Sequence, residues 1–259
     1  MRAGLVKSRS PGPRPSLDNV TLVAVTSVAL PATAAALERS IRQASFAEVL
    51  LLSDLPPPAD ADPAIIWRRI AKLGSRRDYS RFMLRELADH VATGHALCIQ
   101  WDGFVLNGAA WEPCFLNYDY IGAVWPHFGD GKNVGNGGFS LRSRRLLDVC
   151  KNLPFDGSEP EDVVISRLCR DVIEEQGLRF APEAVARQFA YERTAPTGRE
   201  FGFHGAFNLV RYLRRGDAAR TFSELEPGML SRNERLEILM WALSRGRIKL
   251  GLTMLSRLS

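Results

Sequence analysis

The stretch 20–28, VTLVAVTSV, constrains this chain most: nine residues without a charge and dense in β-branched side chains. Such a run suits a strand buried on both faces of a parallel sheet. A parallel neighbour needs a crossover connection, and the chain supplies one. Residues 32–43 predict a helix, and 48–52 (EVLLL) predict a second short strand, closed by Ser53, Asp54 and the breaker run Pro56-Pro57-Pro58. A further short strand is predicted over 65–70, an amphipathic helix over 79–91 and another buried strand over 96–100 (ALCIQ). The alternation predicts an α/β fold with a mixed, mostly parallel central sheet flanked by helices. In such sheets ligands gather beyond the carboxyl ends of strands, where the strand order reverses.

With 259 residues, one principal domain is expected, assigned here to residues 17–213. Residues 1–16 are rich in Arg, Pro, Ser and Gly and read as a flexible lead-in. Residues 214–259 read as a helical extension, with apolar Leu236, Leu239, Met240 and Leu243 and a break at Gly246. The 34 Lys and Arg against 29 Asp and Glu are spread without a nucleic-acid motif, so no nucleic-acid partner is expected. Cys98, Cys114, Cys150 and Cys169 form no CxxC pair and read as reduced core residues. No run is long enough for a signal peptide or a membrane span. The expectation is a cytoplasmic protein, at most peripheral to the inner face of a membrane. The segment 233–259 either packs on the core or a protein partner, or lays a basic amphipathic face on an anionic membrane.

Four segments bear residues able to do chemistry, and each is open to two readings. In Gln100-Trp101-Asp102-Gly103 an acid leaves a buried strand. It either caps the strand in an Asx-turn or binds a divalent cation bridging two phosphates. In Val134-Gly135-Asn136-Gly137-Gly138-Phe139-Ser140, three glycines in five residues make a tight turn or let the backbone approach a sugar, with Asn136 as donor and acceptor. The spacing matches neither a dinucleotide fingerprint nor a Walker loop. In Ser158-Glu159-Pro160-Glu161-Asp162-Val163 the polar residues suit a helix start with Ser158 as N-cap, and a carboxylate there also suits a general base. In Phe201-Gly202-Phe203-His204-Gly205-Ala206 the histidine is either packed in an aromatic turn or serves a metal or a diphosphate. His90, His95 and His127 have no companion at ligand spacing and read as surface or loop residues.

In this order, IQWDGF, YDYIGAVW, VGNGGFSLRS, EDVVISR and FGFHGAF resemble GT-A glycosyltransferases, and most closely a bacterial glycosyltransferase-like family known as a domain of unknown function. The resemblance spans roughly residues 20–213. It implies a GT-A-like sheet and a sugar transferred from a nucleotide-sugar donor, UDP-linked in this reading, to a hydroxyl of a glycan or lipid-linked glycan acceptor. Gln100, Trp101 and Asp102 fall where such enzymes carry an Asp-x-Asp metal and diphosphate motif; Gln100 replaces its first acid. A divalent cation, Mn2+ or Mg2+, is then expected on Asp102 and His204. By the same likeness Thr26 and Ser27 contact the nucleotide base and ribose, and Asn136, Gly137 and Gly138 line the donor side. Glu161-Asp162 matches the acidic pair of inverting enzymes, with Asp162 as base. Trp125 and Phe139 are assigned to the sugar or acceptor pocket, and Trp101 or Trp125 either stacks on a ring or anchors a loop.

Two other classes are considered. A non-catalytic nucleotide-sugar or carbohydrate-binding protein would keep the fold and lose turnover, which Gln100 would suit. A nucleotidyltransferase would carry a glycine-rich basic loop after the first strand, where this chain reads TSVALPATAAA.

Overall fold

In a computed structural model of the chain the described residues are 14–258. The chain opens with strand β1 (Ser16–Thr26), helix α1 (Leu30–Ile41), strands β2 (Ser45–Ser53) and β3 (Ile66–Arg69), helices α2 (Arg76–Arg85) and α3 (Leu87–His90), and strand β4 (His95–Ile99). Strands β5 (Phe104–Val105), β6 (Tyr120–Ile121) and β7 (Phe139–Ser143) follow, then helices α4 (Arg144–Cys150), α5 (Glu161–Val163), α6 (Arg170–Glu175) and α7 (Glu183–Phe189). Strands β8 (Ala190–Tyr191) and β9 (Gly202–Phe203) and helices α8 (Ala206–Leu209), α9 (Arg215–Ser223), α10 (Arg232–Ser244) and α11 (Ile248–Leu255) complete it.

The main sheet has the order β3-β2-β1-β4-β7-β6. Its first four strands run parallel, and β7 lies antiparallel to both β4 and β6. The expected mixed, mostly parallel sheet flanked by helices is the one adopted. β1 is buried on both faces, as its composition requires. Leu22 and Ala24 point into a core with Leu37 of α1, Leu51, Leu97 and Ile99. Val23 and Val25 point into a second core with Leu50, Leu52, Cys98 and Phe82 of α2. A third cluster, including Leu146, Cys150, Ile165 and Ile173, covers the β6–β7 edge.

The chain reverses its direction of winding between β1 and β4, so their carboxyl ends flank a switch point. A second sheet of order β5-β9-β8 stands beside it, with β5 antiparallel and β8 parallel to β9.

Several expectations are corrected. β1 begins at Ser16, paired with Ser45, inside the segment assigned to the lead-in; residues 1–13 of that segment lie outside the described residues. The helical run after Asp162 is interrupted: Cys169 donates its N–H to Val164 O at 2.9 Å, an i to i−5 bond that makes 164–168 a π-helical turn. Ser158 is no N-cap, because it bonds Asp156 instead and the helix starts behind Pro160. His95 is buried in β4 rather than on the surface, and Cys114 is exposed while the other three cysteines are buried. Among the described residues no helix is long and apolar enough to cross a membrane.

Candidate functional site

Strand register assembles the site. Gln100 follows β4, and its N–H donates to Gly138 O at 3.0 Å, extending the β4–β7 ladder one step past Ile99–Phe139. Asp102 lies just before β5. Because Phe104 pairs with Phe203, the start of β5 meets the end of β9, which brings His204 beside Asp102. Tyr191 pairs with Phe203 in parallel, so Glu192 also reaches His204. Two glycines permit the approach. A Cβ on Gly103 would stand 2.7 Å from the Phe203 carbonyl oxygen, and one on Gly138 would collide with the His204 ring.

His204 is the hub. Its Nε2 lies 3.2 Å from Gln100 Oε1 and 3.3 Å from Asp102 Oδ1; its Nδ1 lies 3.3 Å from Glu192 Oε1 and 3.1 Å from Asn136 Nδ2. Burial alone would push the imidazolium down, but Asp102 first and Glu192 with it hold its pKa well above the usual value. Asp102 is itself buried, and its Oδ1 makes only the ion-pair contact, with no aligned hydrogen-bond donor. Gln100 is oriented by donating from Nε2 to the Tyr79 hydroxyl at 3.1 Å.

Among the described residues no group of three or more His, Cys, Asp or Glu is placed to hold a metal. A mixed set of Asp102, Gln100 and His204 has two of the three spacings that a hard cation would need. Neighbouring ligands of an octahedral ion with bonds of about 2.1 Å stand about 3 Å apart, and Asp102 Oδ1 and Gln100 Oε1 keep that spacing from His204 Nε2. The fit requires Nε2 to be deprotonated, with Nδ1–H directed to Glu192, the outer carboxylate that fixes a ligating imidazole.

Asp162 lies across the glycine loop. Its Oδ2 accepts the Gly137 N–H at 3.0 Å and its Oδ1 the Val163 N–H at 2.9 Å. Burial, and then the adjacent Glu161 carboxylate, pushes its carboxyl up to about 7 against these donors. Glu161 was expected to share the chemistry; the structure corrects this. It is buried, with Oε1 on Arg142 at 3.2 Å and Oε2 on Ser80 at 3.2 Å, facing the interior. Arg142 has no exposed surface and also donates from Nε to Ser140 Oγ at 3.0 Å.

Phe139, expected in the sugar pocket, is also corrected: it has no exposed surface and packs on Phe189, Phe201 and Gly202. Trp125 is buried over Gly135. Trp101 packs edge-on against Phe222 of α9. The Thr26 hydroxyl is bonded within its own turn to Val28, and Ser27 Oγ accepts the Leu73 N–H at 2.9 Å. Both stand at the β1 end of the switch point, beside a cavity of about 520 Å³ lined by Asp54, Leu55, Arg69, Ile70, Ala71 and Lys72. Sequence reasoning missed Glu192 and Tyr79: neither lies in a recognisable motif, and only the register of the small sheet and the packing of α2 bring them in.

The family described as protein of unknown function (DUF5672) matches residues 67–204, more than half of the chain and all of the His204 cluster. The chain belongs to this family. DUF5672 membership covers Gln100, Asp102, Asn136, Asp162, Glu192 and His204. No curated protein matches by sequence. Solved structures similar to this DUF5672 chain include the galactosyltransferase LgtC in complex with donor and acceptor sugar analogues. It has a TM-score of 0.44 and 11% identity over 71% of this chain and 86% of that one. An active-site mutant of LgtC gives 0.47 and 10%, over 84% of this chain and 99% of that one. The apo-form glycosyltransferase GlyE of Streptococcus pneumoniae TIGR4 gives 0.45 and 14%, over 72% and 54%.

Proposed function

We propose that the chain is an inverting GT-A glycosyltransferase that moves a sugar from a UDP-linked donor to a hydroxyl of a glycan or lipid-linked glycan. The observation that supports this most is the convergence of Gln100, Asp102 and His204 beyond β4, with Asp162 held one residue away across Gly137. In this reading Thr26 and Ser27 face the nucleoside, Asn136 and Gly138 the donor sugar, and Trp125 the pocket's far wall.

Asp162 takes the proton from the acceptor hydroxyl as that oxygen attacks the anomeric carbon; a base with a pKa near the working pH is suited to this transfer. Glu192 accepts the Nδ1–H of His204 and so fixes its ring, and the Tyr79 hydroxyl orients Gln100. Asp102, Gln100 and His204 would hold Mn2+ or Mg2+, which when bound neutralises charge on the departing diphosphate. One in-line displacement inverts the anomeric centre.

The test is donor hydrolysis and transfer by purified protein with a panel of nucleotide sugars, with and without Mn2+. Turnover with at least one donor, lost in Asp102→Ala and Asp162→Asn, is expected. Donor binding that Asp102→Ala weakens, with no turnover in any condition, would instead make the chain a nucleotide-sugar-binding protein.

A further inference from the structure

Helices α10 and α11 are apolar on two faces. Ile238, Leu239, Ala242, Leu250 and Met254 are buried against the rest of the fold. On the outside, Leu236, Met240 and Leu243 recur at i, i+4 and i+7, and Ile248, Leu252 and Leu255 repeat that spacing; these six are 41–72% exposed. Leu243 of the α10 stripe stands 3.7 Å from where a Cβ on Gly251 would be, so it packs against α11 next to Leu252 of the second stripe. A helix apolar all round is ordinarily covered all round, and a contiguous patch of this kind marks an interaction surface.

Charge identifies the occupant. Residues 232–258 hold six Lys and Arg against two Asp and Glu, whereas residues 14–231 hold 25 against 27. One of the two acids, Glu237, is paired with Arg193 of the body at 3.0 Å, and the other, Glu234, closes the capping box of α10 with Ser231. At the turn between the helices, Ile248 stands between Arg247 and Lys249, and a cavity of about 520 Å³ is lined by Arg211, Trp241, Arg245 and Arg247. Arg247 is set in place by donating to Leu213 O at 3.0 Å and lying 4.8 Å from the centre of the Trp241 ring. Guanidinium groups grouped in this way suit phosphate oxygens, and an indole beside them suits the polar–apolar boundary. A second copy of the chain would bring one cationic hairpin against another. An anionic lipid surface meets both the charge and the apolar stripe.

We propose that the outer face of α10 and α11 docks on an anionic phospholipid bilayer, the apolar stripe entering the headgroup boundary and the cationic charge around the turn, from Arg211, Arg245, Arg247 and Lys249, drawing it to lipid phosphates. The docking does not depend on the transferase reading, and its test needs no turnover.

The full chain is sedimented with vesicles of phosphatidylcholine alone and of equal phosphatidylcholine and phosphatidylglycerol, at about 0.1 M and about 1 M salt. Binding to the phosphatidylglycerol vesicles, at least about tenfold stronger than to the neutral ones and weakened at high salt, is expected. Ile248→Glu with Leu252→Glu should abolish it. Arg211→Ala with Arg245→Ala should weaken it by roughly thirtyfold, through the loss of two surface charges. All four side chains are exposed, so the melting temperature of each double variant should stay at the wild-type value. Equal binding to both vesicles, or to neither, overturns the proposal. So does a concentration-dependent dimer in light scattering that the Glu variant abolishes, since that assigns the patch to a second copy. Saturable binding of inorganic phosphate without vesicle binding also overturns it and leaves only a small-anion site.

Discussion

At the scale of single residues, the proposed transfer turns on Asp162 and His204. A general base acts in its ionised form. With the Asp162 carboxyl pushed up to about 7, kcat/KM is expected to rise with pH up to about 7 and level off above it, as read from a pH–rate profile. Asp162→Asn should lower kcat by about 10²–10⁴ and remove that limb while leaving donor affinity intact. The same carboxyl is linked to folding. Its pKa lies above that of an unfolded aspartate, so its stabilising contribution is complete below the ordinary carboxylate range and is lost as pH rises through about 7. In urea titrations the wild type should therefore lose ground to Asp162→Asn between pH 4 and pH 8. For His204 the check is steric. Gly138→Ala drives a methyl group into the ring, and calorimetry should then find nucleoside diphosphate binding weakened by at least tenfold, the fold-change expected from about 1.4 kcal/mol. Asp102, Asn136, Asp162 and His204 were legible in the sequence because each sits in a short polar or glycine-rich break between apolar runs. Phe139 was misplaced for the same reason. It closes a glycine-rich segment, and nothing in GNGGFS distinguishes a ring lining a pocket from one filling the core.

At the scale of elements, what the sequence made legible followed period and length. β1, α1, β2, α2, α10 and α11 are long, β3 and β4 lie in short runs that start or stay apolar, and each lies within a few residues of its expected place. β5, β8 and β9 are two residues each, too short to carry an alternation, and they are the strands that bring Asp102, Glu192 and His204 together. The π-helical turn was equally silent, because an i to i−5 bond leaves no mark on hydrophobic spacing. The link between β7 and α5 is the buried Arg142–Glu161 pair. Removing one partner leaves the other charge stranded, so Glu161→Ala is expected to cost about 3–5 kcal/mol in a denaturant titration. A matched Arg142→Met, Glu161→Leu replacement should recover much of that loss, because a buried pair contributes far less than a broken one costs.

At the scale of the molecule, the two sheets and the C-terminal segment close on one another around the switch point. The only left-handed residue other than glycine among those described, Ala29 at φ 47°, forms the turn after β1, and its N–H is held by both oxygens of Glu226 at 3.1 and 2.9 Å. The segment between α9 and α10 thereby fixes the loop expected to meet the nucleoside. Glu226→Ala should lower stability by about 1 kcal/mol, the net value of one such hydrogen bond, seen as a fall in melting temperature. The proposed transfer requires the crevice beyond β1 and β4 to receive a diphosphate. A crystal structure with uridine diphosphate and Mn2+ tests it most directly. Density for the diphosphate beside Asp102, Gln100 and His204, with Asp162 on the open side, is the expected result. Diphosphate bound elsewhere, or none in a crystal whose crevice is free of lattice contacts, would rule out this crevice as the donor site.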